Sequence, residues 1–181
     1  MADYDYESLG LVAGLEIHQQ LDTETKLFCQ CPTRRREPEA AERTFTRYLH
    51  PTKSELGELD DAAVEESRVD REFEYLGFDT TCLVEADEEP PHDVDEEARR
   101  VTLQIADLLD MTVVNQAHVM RKLVIDGSNT SGFQRTMLVA RDGAIDTSEG
   151  AVGVEDLLLE EESAGRVEAT DEGVRFSLDR R

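Results

Sequence analysis

Strand-like segments follow one another along this chain with few helical patterns between them, and this order limits the folds available to it. Residues 9–21 alternate apolar and polar side chains, as expected for a half-buried strand. Other segments rich in β-branched, aromatic or leucine residues lie at 44–49, 73–78, 80–85, 113–125, 134–140, 156–161, 165–170 and 174–178. Because consecutive strands without intervening helices pair mainly antiparallel, the predicted fold class is α+β with a mainly antiparallel sheet and a few helices.

The clearest helix is predicted over about residues 95–110, with Asp93 or Asp95 as its N-cap. A shorter helix is predicted from Asp60 or Asp61 to about Arg71. Turns are expected at Asp142–Gly143, a hairpin signal, and at 171–173. The apolar stripe of the long helix repeats at a spacing of three to four residues and consists of Ala98, Val101, Ile105, Leu108 and Leu109.

The composition indicates a single cytoplasmic domain adapted to salt. The 181 residues include no apolar run near the roughly 20 needed to span a bilayer, and the acidic N-terminus lacks a signal-peptide core. The net charge is −23, and only three of the 19 basic residues are lysines. Acidic residues are spread along the whole chain, which is typical of a halophilic protein, since molar salt screens their repulsion. At such salt the charge neither supports nor excludes an RNA substrate.

Glu16 and His18 form the first candidate site. At positions i and i+2 of a strand their side chains point to the same face, about 6.6 Å apart along the backbone. Carboxylate and imidazole ligands suit a hard divalent cation, but two residues are too few for a complete site. From the residues alone, a polar solvent-facing strand is the alternative.

A second candidate cluster, Glu160 to Glu162, directly follows the apolar run Leu157–Leu159. Because side chains alternate along a strand, at most two of the three carboxylates share a face. Acidic runs occur throughout this chain, so a solvated strand end is the alternative.

The segment RKLVIDGSNTSGFQRT, at 121–136, concentrates basic and hydroxyl side chains in a chain with few cations. Its loop could offer amides, hydroxyls and cations to a phosphate, although it is not a Walker A sequence. A plain hairpin loop is equally compatible with this pattern.

Three cysteines, an odd number, argue against a disulfide framework. Cys29 and Cys31 form a C-x-C pair, and Cys82 lies far along the chain. A zinc site would need a fourth ligand, for which Asp79 or a histidine is available. Reduced, partly buried thiols are the alternative.

Five blocks in this order resemble one known family. They read GLEIHQQL, KLFCQCPT, TTCLVEADEEPPH, VMRKLVIDGSNTSGFQRT and LLLEEESAG. Together they are similar to the GatB/GatE subunits of Glu-tRNA(Gln) amidotransferase, and to the archaeal GatE type more than to the bacterial GatB type. The resemblance extends from about Leu9 to the end of the chain. It implies a glutamine-synthetase-like cradle domain, of which residues 1–181 would be the N-terminal portion, without the tRNA-binding tail domain.

The resemblance implies a ligase that uses ATP and Mg²⁺ to phosphorylate the γ-carboxyl of Glu on misacylated tRNA(Gln). Ammonia from a GatD-like, asparaginase-type partner then gives Gln-tRNA(Gln). It also implies catalytic and Mg²⁺-binding roles for Glu16, His18, Glu160 and Glu161, with the choice among Glu160, Glu161 and Glu162 left open by a one-residue insertion. The residues expected to bind substrate or phosphate are Gln20, Arg121, Lys122, Asp126, Ser128, Asn129, Ser131, Gln134 and Arg135.

Two features of the chain depart from the family pattern. Some GatB-type relatives bind zinc with C-x-C and C-x-x-C, and here Asp79 stands at the first position of the second pair while Cys82 keeps the last. Family members also run to several hundred residues, so this chain is expected to be a fragment or truncated form that is inactive alone. The alternative from another class is a non-catalytic acidic binding or assembly module, stabilised by zinc through Cys29, Cys31 and Cys82.

Overall fold

The structure, a computed structural model, describes residues 5, 8–10, 12–48, 53, 56–59, 61–68, 71–170 and 173–179. Strands dominate this part of the chain, together with two α-helices and a short 3-10 turn at Pro38–Ala40. The elements are β1 (Arg43–Tyr48), α1 (Asp61–Glu66), β2 (Glu72–Gly77), α2 (Glu96–Leu108), β3 (Thr112–Val113), β4 (Val119–Leu123), β5 (Phe133–Thr147), β6 (Gly150–Glu160), β7 (Gly165–Ala169) and β8 (Gly173–Ser177). The predicted α+β class is confirmed.

The strands form two sheets. The first has the order β1-β2-β8-β7, in which only the β2–β8 pair is parallel. It packs around three stacked or tilted rings, those of Phe73, Tyr75 and Phe176, whose centroids lie 5.7–6.2 Å apart where they pair. In the second sheet the long strand β5 pairs antiparallel with β3, β4 and β6.

Helix α2 forms where its sequence pattern predicts it. The Asp95 carboxylate accepts a hydrogen bond of 2.8 Å from the backbone N–H of Ala98, and Glu96 and Glu97 lie in the first turn, where the helix dipole favours negative charge. The helix buries Ala98 in a core that also contains Phe28, Val84 and Leu159. Ala106, one of the small side chains of α2, packs against β5 in a separate cluster.

The β5–β6 hairpin turns later than the sequence predicts. Asp142–Gly143 was expected to be the turn, but both residues lie inside β5, and pairing with β6 continues to Thr147 opposite Gly150. Asp142 has the positive φ of 59° that suits a turn, yet the alternating side chains on either side extend the ladder past it. The turn prediction was therefore wrong in position.

Three other predicted segments also differ. Residues 12–20 of the predicted first strand are extended but belong to no strand. Residues 80–85 form tight turns, in which the Glu85 carboxylate accepts from the Cys82 backbone N–H at 3.1 Å. The predicted strand 113–125 is split into β3 and β4, because residues 114–118 leave the ladder.

Several predicted features involve residues outside the described part of the chain. These are Leu49 at the end of β1, the alternative N-cap Asp60, residues 69–70 of the first helix and the turn residues 171–172. Among the described residues, the helices are all too short or too polar to cross a bilayer.

We predict that Gly127→Ala destabilises the fold by about 2–4 kcal/mol. Gly127 has a φ of +77°, and a Cβ built on it would lie 2.2 Å from Cε1 of the buried Phe73 ring. Gly153→Ala is the matched control, because a Cβ there meets nothing within 4 Å. Urea unfolding in multimolar KCl measures both variants, and equal midpoints would contradict the expected strain at Gly127.

Candidate functional site

The register of the second sheet separates its side chains into two faces. Lys122 pairs with Gln134, and Thr136 pairs with Glu160, so the side chains of Lys122, Thr136 and Glu160 lie on one face. Arg121 pairs with Arg135 on the opposite face, where Arg135 is buried. The strands thus place neighbouring basic and acidic candidates alternately on the two sides of the sheet.

The open face brings together residues that are far apart in sequence. The Lys122 ammonium lies 3.6 Å from a Glu160 carboxylate oxygen and 3.9 Å from a Glu16 carboxylate oxygen. His18 Nε2 lies 3.1 Å from the same Glu16 oxygen, and the Thr136 hydroxyl donates to Glu160. Because Glu16 and His18 are largely exposed and Glu160 is half-buried, this group is a polar surface open to a ligand. We call it the Glu16–Glu160 site.

Glu162 lies on the same side as Glu160, two residues further along. Its carboxylate accepts a hydrogen bond of 3.2 Å from the Gln20 side-chain amide, which belongs to the same extended segment as Glu16 and His18. The alternation expected in the LEEE run therefore holds, with Glu160 and Glu162 on the open side.

Glu161 points the other way, into a buried ion pair. Its carboxylate lies 3.2 Å from the Arg135 guanidinium, which also contacts Asp87 at 2.8 Å and the Val84 carbonyl at 3.3 Å. Arg135 is only 4% exposed. Both side chains are thus engaged inside the protein, and the structure does not bring them to the Glu16–Glu160 site, where the sequence analysis had placed Glu161 as a metal ligand.

The loop 126–132 is held to the protein by its own polar groups. The Ser128 N–H donates to the Asp126 carboxylate at 2.9 Å, and the Tyr75 hydroxyl donates to the Gly127 carbonyl at 2.7 Å. Asn129 is fully buried and accepts from Ser131 through its side-chain oxygen. Among these residues, Asp126 is exposed, Ser128 and Ser131 are half-buried, and Asn129 faces inward.

Two further predicted substrate residues have defined positions. The Arg121 guanidinium is exposed and lies 4.1 Å from the centroid of the Phe133 ring, a cation–π contact. Gln134 is buried, and its side-chain amide donates to the backbone carbonyl of Glu161. Gln134 therefore helps to position the acidic run and has no open surface of its own.

The three cysteines meet in one cluster although Cys82 is distant in sequence. The sulfurs of Cys29, Cys31 and Cys82 and a carboxylate oxygen of Glu85 all lie within 4.8 Å of one another. Asp79, the predicted fourth ligand, is turned toward Arg36, with which it forms two hydrogen bonds of 2.7 and 2.5 Å. The fourth group at the cysteine cluster is thus Glu85, three residues after Cys82.

The surroundings of this cluster favour a thiolate at Cys82. A hydrogen bond from the Cys29 thiol, aided by the backbone N–H groups of Val84 and Glu85, lowers the pKa of Cys82 to about 5. The same thiol–thiolate hydrogen bond raises the pKa of Cys29, and burial raises the pKa of Cys31 to about 11. The neighbouring Lys26 ammonium, itself buried, lies 2.7 Å from Glu85 and 3.6 Å from Asp179.

Some of these residues were missed at the sequence level. Glu85 was overlooked as a ligand, although the spacing Cys82-x-x-Glu85 was visible as an alternative to Asp79-x-x-Cys82. Thr136 and Lys26 were also missed, and nothing in their local sequence distinguishes them. Their roles come from partners more than 20 residues away, which only the fold identifies.

The mixed sheets and the acidic open face are those of an amidotransferase-type catalytic domain. The chain belongs to the GatB/GatE catalytic domain family, which it matches over residues 11–181. This confirms the family indicated by the five sequence blocks.

The similarity to individual archaeal relatives, each named as the GatE-type polypeptide of glutamyl-tRNA(Gln) amidotransferase, is high along the whole chain. It is 74% identical over 180 residues to the protein of Haloarcula marismortui and 75% over 177 residues to that of Natronomonas pharaonis. The protein of Methanocaldococcus jannaschii is 54% identical over 179 residues. Each match covers 98–99% of this chain but only 28–29% of the relative, so the chain spans less than a third of the length of these proteins.

We predict that Glu161→Gln lowers the free energy of unfolding by about 3 kcal/mol, because it leaves the buried Arg135 guanidinium without its carboxylate partner beside β6. Glu162→Gln is the matched control: the residue is adjacent and exposed, and a change within about 0.5 kcal/mol is expected. Urea unfolding in multimolar KCl compares them. A larger loss for Glu162→Gln than for Glu161→Gln would overturn the assignment of the two faces.

Proposed function

We propose that this chain forms part of the site at which a tRNA-dependent amidotransferase activates the γ-carboxyl of Glu on misacylated tRNA(Gln) with ATP and then amidates it. The observation that carries the proposal is the convergence of Glu16, His18 and Glu160 around Lys122 on one open face. The names of the relatives support the reaction type. The ammonia would come from a GatD-like, asparaginase-type partner in the cytoplasm.

The chemistry of the open face fits a hard divalent cation. Glu16 and Glu160 both lie within 3.9 Å of a single ammonium group, so the two carboxylates share one positively charged neighbour, and the His18 ring contacts Glu16. Carboxylate oxygens with one imidazole suit Mg²⁺ or Mn²⁺. When bound, Mg²⁺ would neutralise charge on the phosphates of ATP and on the substrate carboxylate.

The proposed ligand set differs from the sequence-based set in one residue. Glu16, His18 and Glu160 are retained, and Glu162 replaces Glu161, because the carboxylate of Glu161 is held by the buried Arg135. Gln20 would position Glu162 through their 3.2 Å hydrogen bond. Lys122 would hold negatively charged substrate groups beside the two carboxylates.

Phosphate contacts are assigned to the exposed groups near this face. Arg121, Lys122 and Asp126 are exposed, and Ser128 and Ser131 are half-buried on the adjoining loop. The buried residues of the predicted set are bonded within the protein, so we assign them to the support of the site and not to ligand contact. They are Asn129, Gln134 and Arg135.

We predict that Glu16→Gln and Glu160→Gln each weaken Mn²⁺-dependent ATP binding at least tenfold, since each removes one charged ligand. The measurement is calorimetric titration of MnCl₂ and ATP in multimolar KCl. Glu155→Gln, an exposed change on the same strand β6, is the matched control and should bind as the wild type does.

The same three variants can be assayed in a chimera in which this chain replaces the matched part of the Haloarcula marismortui protein. The expected result is loss of ATP-dependent Gln-tRNA(Gln) formation in the two site variants only. Wild-type activity in Glu16→Gln would contradict the site. It would instead favour a non-catalytic acidic binding or assembly module.

We also propose that the cysteine cluster binds Zn²⁺ with a structural role. Three thiols and one carboxylate within 4.8 Å of one another supply the four ligands that structural zinc sites use, and the thiolate-favouring surroundings of Cys82 assist them. Lys26 would offset part of the negative charge of this ligand set through its contact with Glu85.

We predict that Cys82→Ser abolishes high-affinity Zn²⁺ binding and that Glu85→Gln weakens it at least tenfold. Asp79→Asn is the control and should leave the affinity unchanged, because Asp79 is paired with Arg36. Competition with a chromophoric chelator measures the affinity, and the Co²⁺ spectrum reports thiolate coordination. A loss in Asp79→Asn with normal binding in Glu85→Gln would show that Asp79 is the fourth ligand.

A further inference from the structure

The extended segment 12–20 exposes large apolar side chains. Val12 and Leu15 are each 93% exposed and Ile17 is 81% exposed, far more than is usual for these residue types. Leu15 and Ile17 are two residues apart, so in this extended backbone they point to the same side. The segment therefore carries a short apolar stripe that nothing in the described part of the chain covers.

The backbone of the segment is also unpaired. Residues 12–22 form no backbone–backbone hydrogen bond with any other part of the chain that the structure describes. An extended, alternating segment with open N–H and C=O groups is a template for strand pairing.

Side-chain contacts nevertheless fix this segment in place on its polar side. Glu16 contacts Lys122, and Gln20 donates to Glu162 at 3.2 Å. The polar side is thereby held against the second sheet, and the apolar stripe of Leu15 and Ile17 is presented outward. An alternating strand normally buries its apolar side, so this stripe lacks the cover that its sequence pattern is built for.

The neighbouring strand β4 has the same character. Through Lys122 it contacts Glu16, and it pairs only with β5 in the described sheet. All five of its residues are exposed, and three of them are large and apolar: Val119, Met120 and Leu123. Two adjoining segments thus combine unpaired backbone with exposed apolar side chains, which marks an interaction surface.

The polypeptide available to cover this surface is indicated by the length of the relatives. In the Haloarcula marismortui and Natronomonas pharaonis proteins, more than two thirds of the sequence lies outside the matched region. A second copy of this chain is a poorer occupant, because each copy carries a net charge of −23.

We propose that residues 12–20 form a strand of a sheet completed by the polypeptide that lies outside the matched region in these relatives. One of its β-strands pairs with the open backbone, and its apolar side chains cover Leu15 and Ile17. The pairing requires no particular reaction at the Glu16–Glu160 site. It does fix the backbone that carries Glu16 and His18, so the covered side and the reactive side belong to one strand.

The test uses the chimera with the Haloarcula marismortui protein, with a protease site inserted at the junction between this chain and the remainder. After cleavage in multimolar KCl, the two pieces are expected to elute together. The amides of residues 12–20 are expected to exchange at least a hundredfold more slowly than in the isolated chain. Replacing both Leu15 and Ile17 by Lys should release the pieces and remove the protection.

Leu108→Lys is the matched control, since Leu108 is a similarly exposed apolar residue at the end of α2. It should leave the pieces associated. Circular dichroism of each isolated variant chain verifies that it is folded. Three results would overturn the proposal: protection of amides 12–20 in the isolated chain, protection that increases with the concentration of this chain alone, or equal retention of wild type and double variant. Mn²⁺–ATP affinity, measured in parallel, distinguishes these results from failure of the proposed catalytic site.

Discussion

The buried guanidinium of Arg135 organises the region around the site. From strand β5 it contacts Glu161 after β6 and Asp87 and the Val84 carbonyl in the turn between β2 and α2. A buried cation without carboxylate partners would cost several kcal/mol, so these segments are fixed relative to one another. Because Glu161 is turned inward, the alternation of side chains turns Glu160 and Glu162 outward. The open acidic face is thus a consequence of an ion pair on the buried face.

The buried charges of this protein do different work from those on its surface. Exposed pairs such as Arg68–Glu65 and Arg99–Glu96 contribute little, and at molar salt they are screened further. Two of the three lysines occur where a compact cation is surrounded by carboxylates: Lys26 is buried beside Glu85 and Asp179, and Lys122 lies between Glu16 and Glu160. The remaining acidic residues, which dominate the net charge, are suited to solvation of the surface in salt.

The Glu16–Glu160 site draws on segments that do not share one sheet. Glu16 and His18 come from an extended segment without strand partners among the described residues, whereas Lys122 and Glu160 lie on paired strands. Half of the site is therefore held by backbone pairing, and the other half by side-chain contacts. Covering the apolar stripe of residues 12–20 would make both halves equally firm, which connects the completeness of the sheet with the precision needed for phosphoryl transfer.

The sequence by itself determined the family, the α+β class, helix α2 with its Asp95 cap and most strands, because ordered motifs, caps and alternating patterns are local signals. It limited the LEEE run to alternate carboxylates but could not choose between them. Tertiary structure decided that choice through Arg135, replaced Asp79 by Glu85 at the cysteine cluster, and moved the β5–β6 turn beyond Asp142. These outcomes depend on contacts between distant residues and on buried charge, whose energies no local pattern contains.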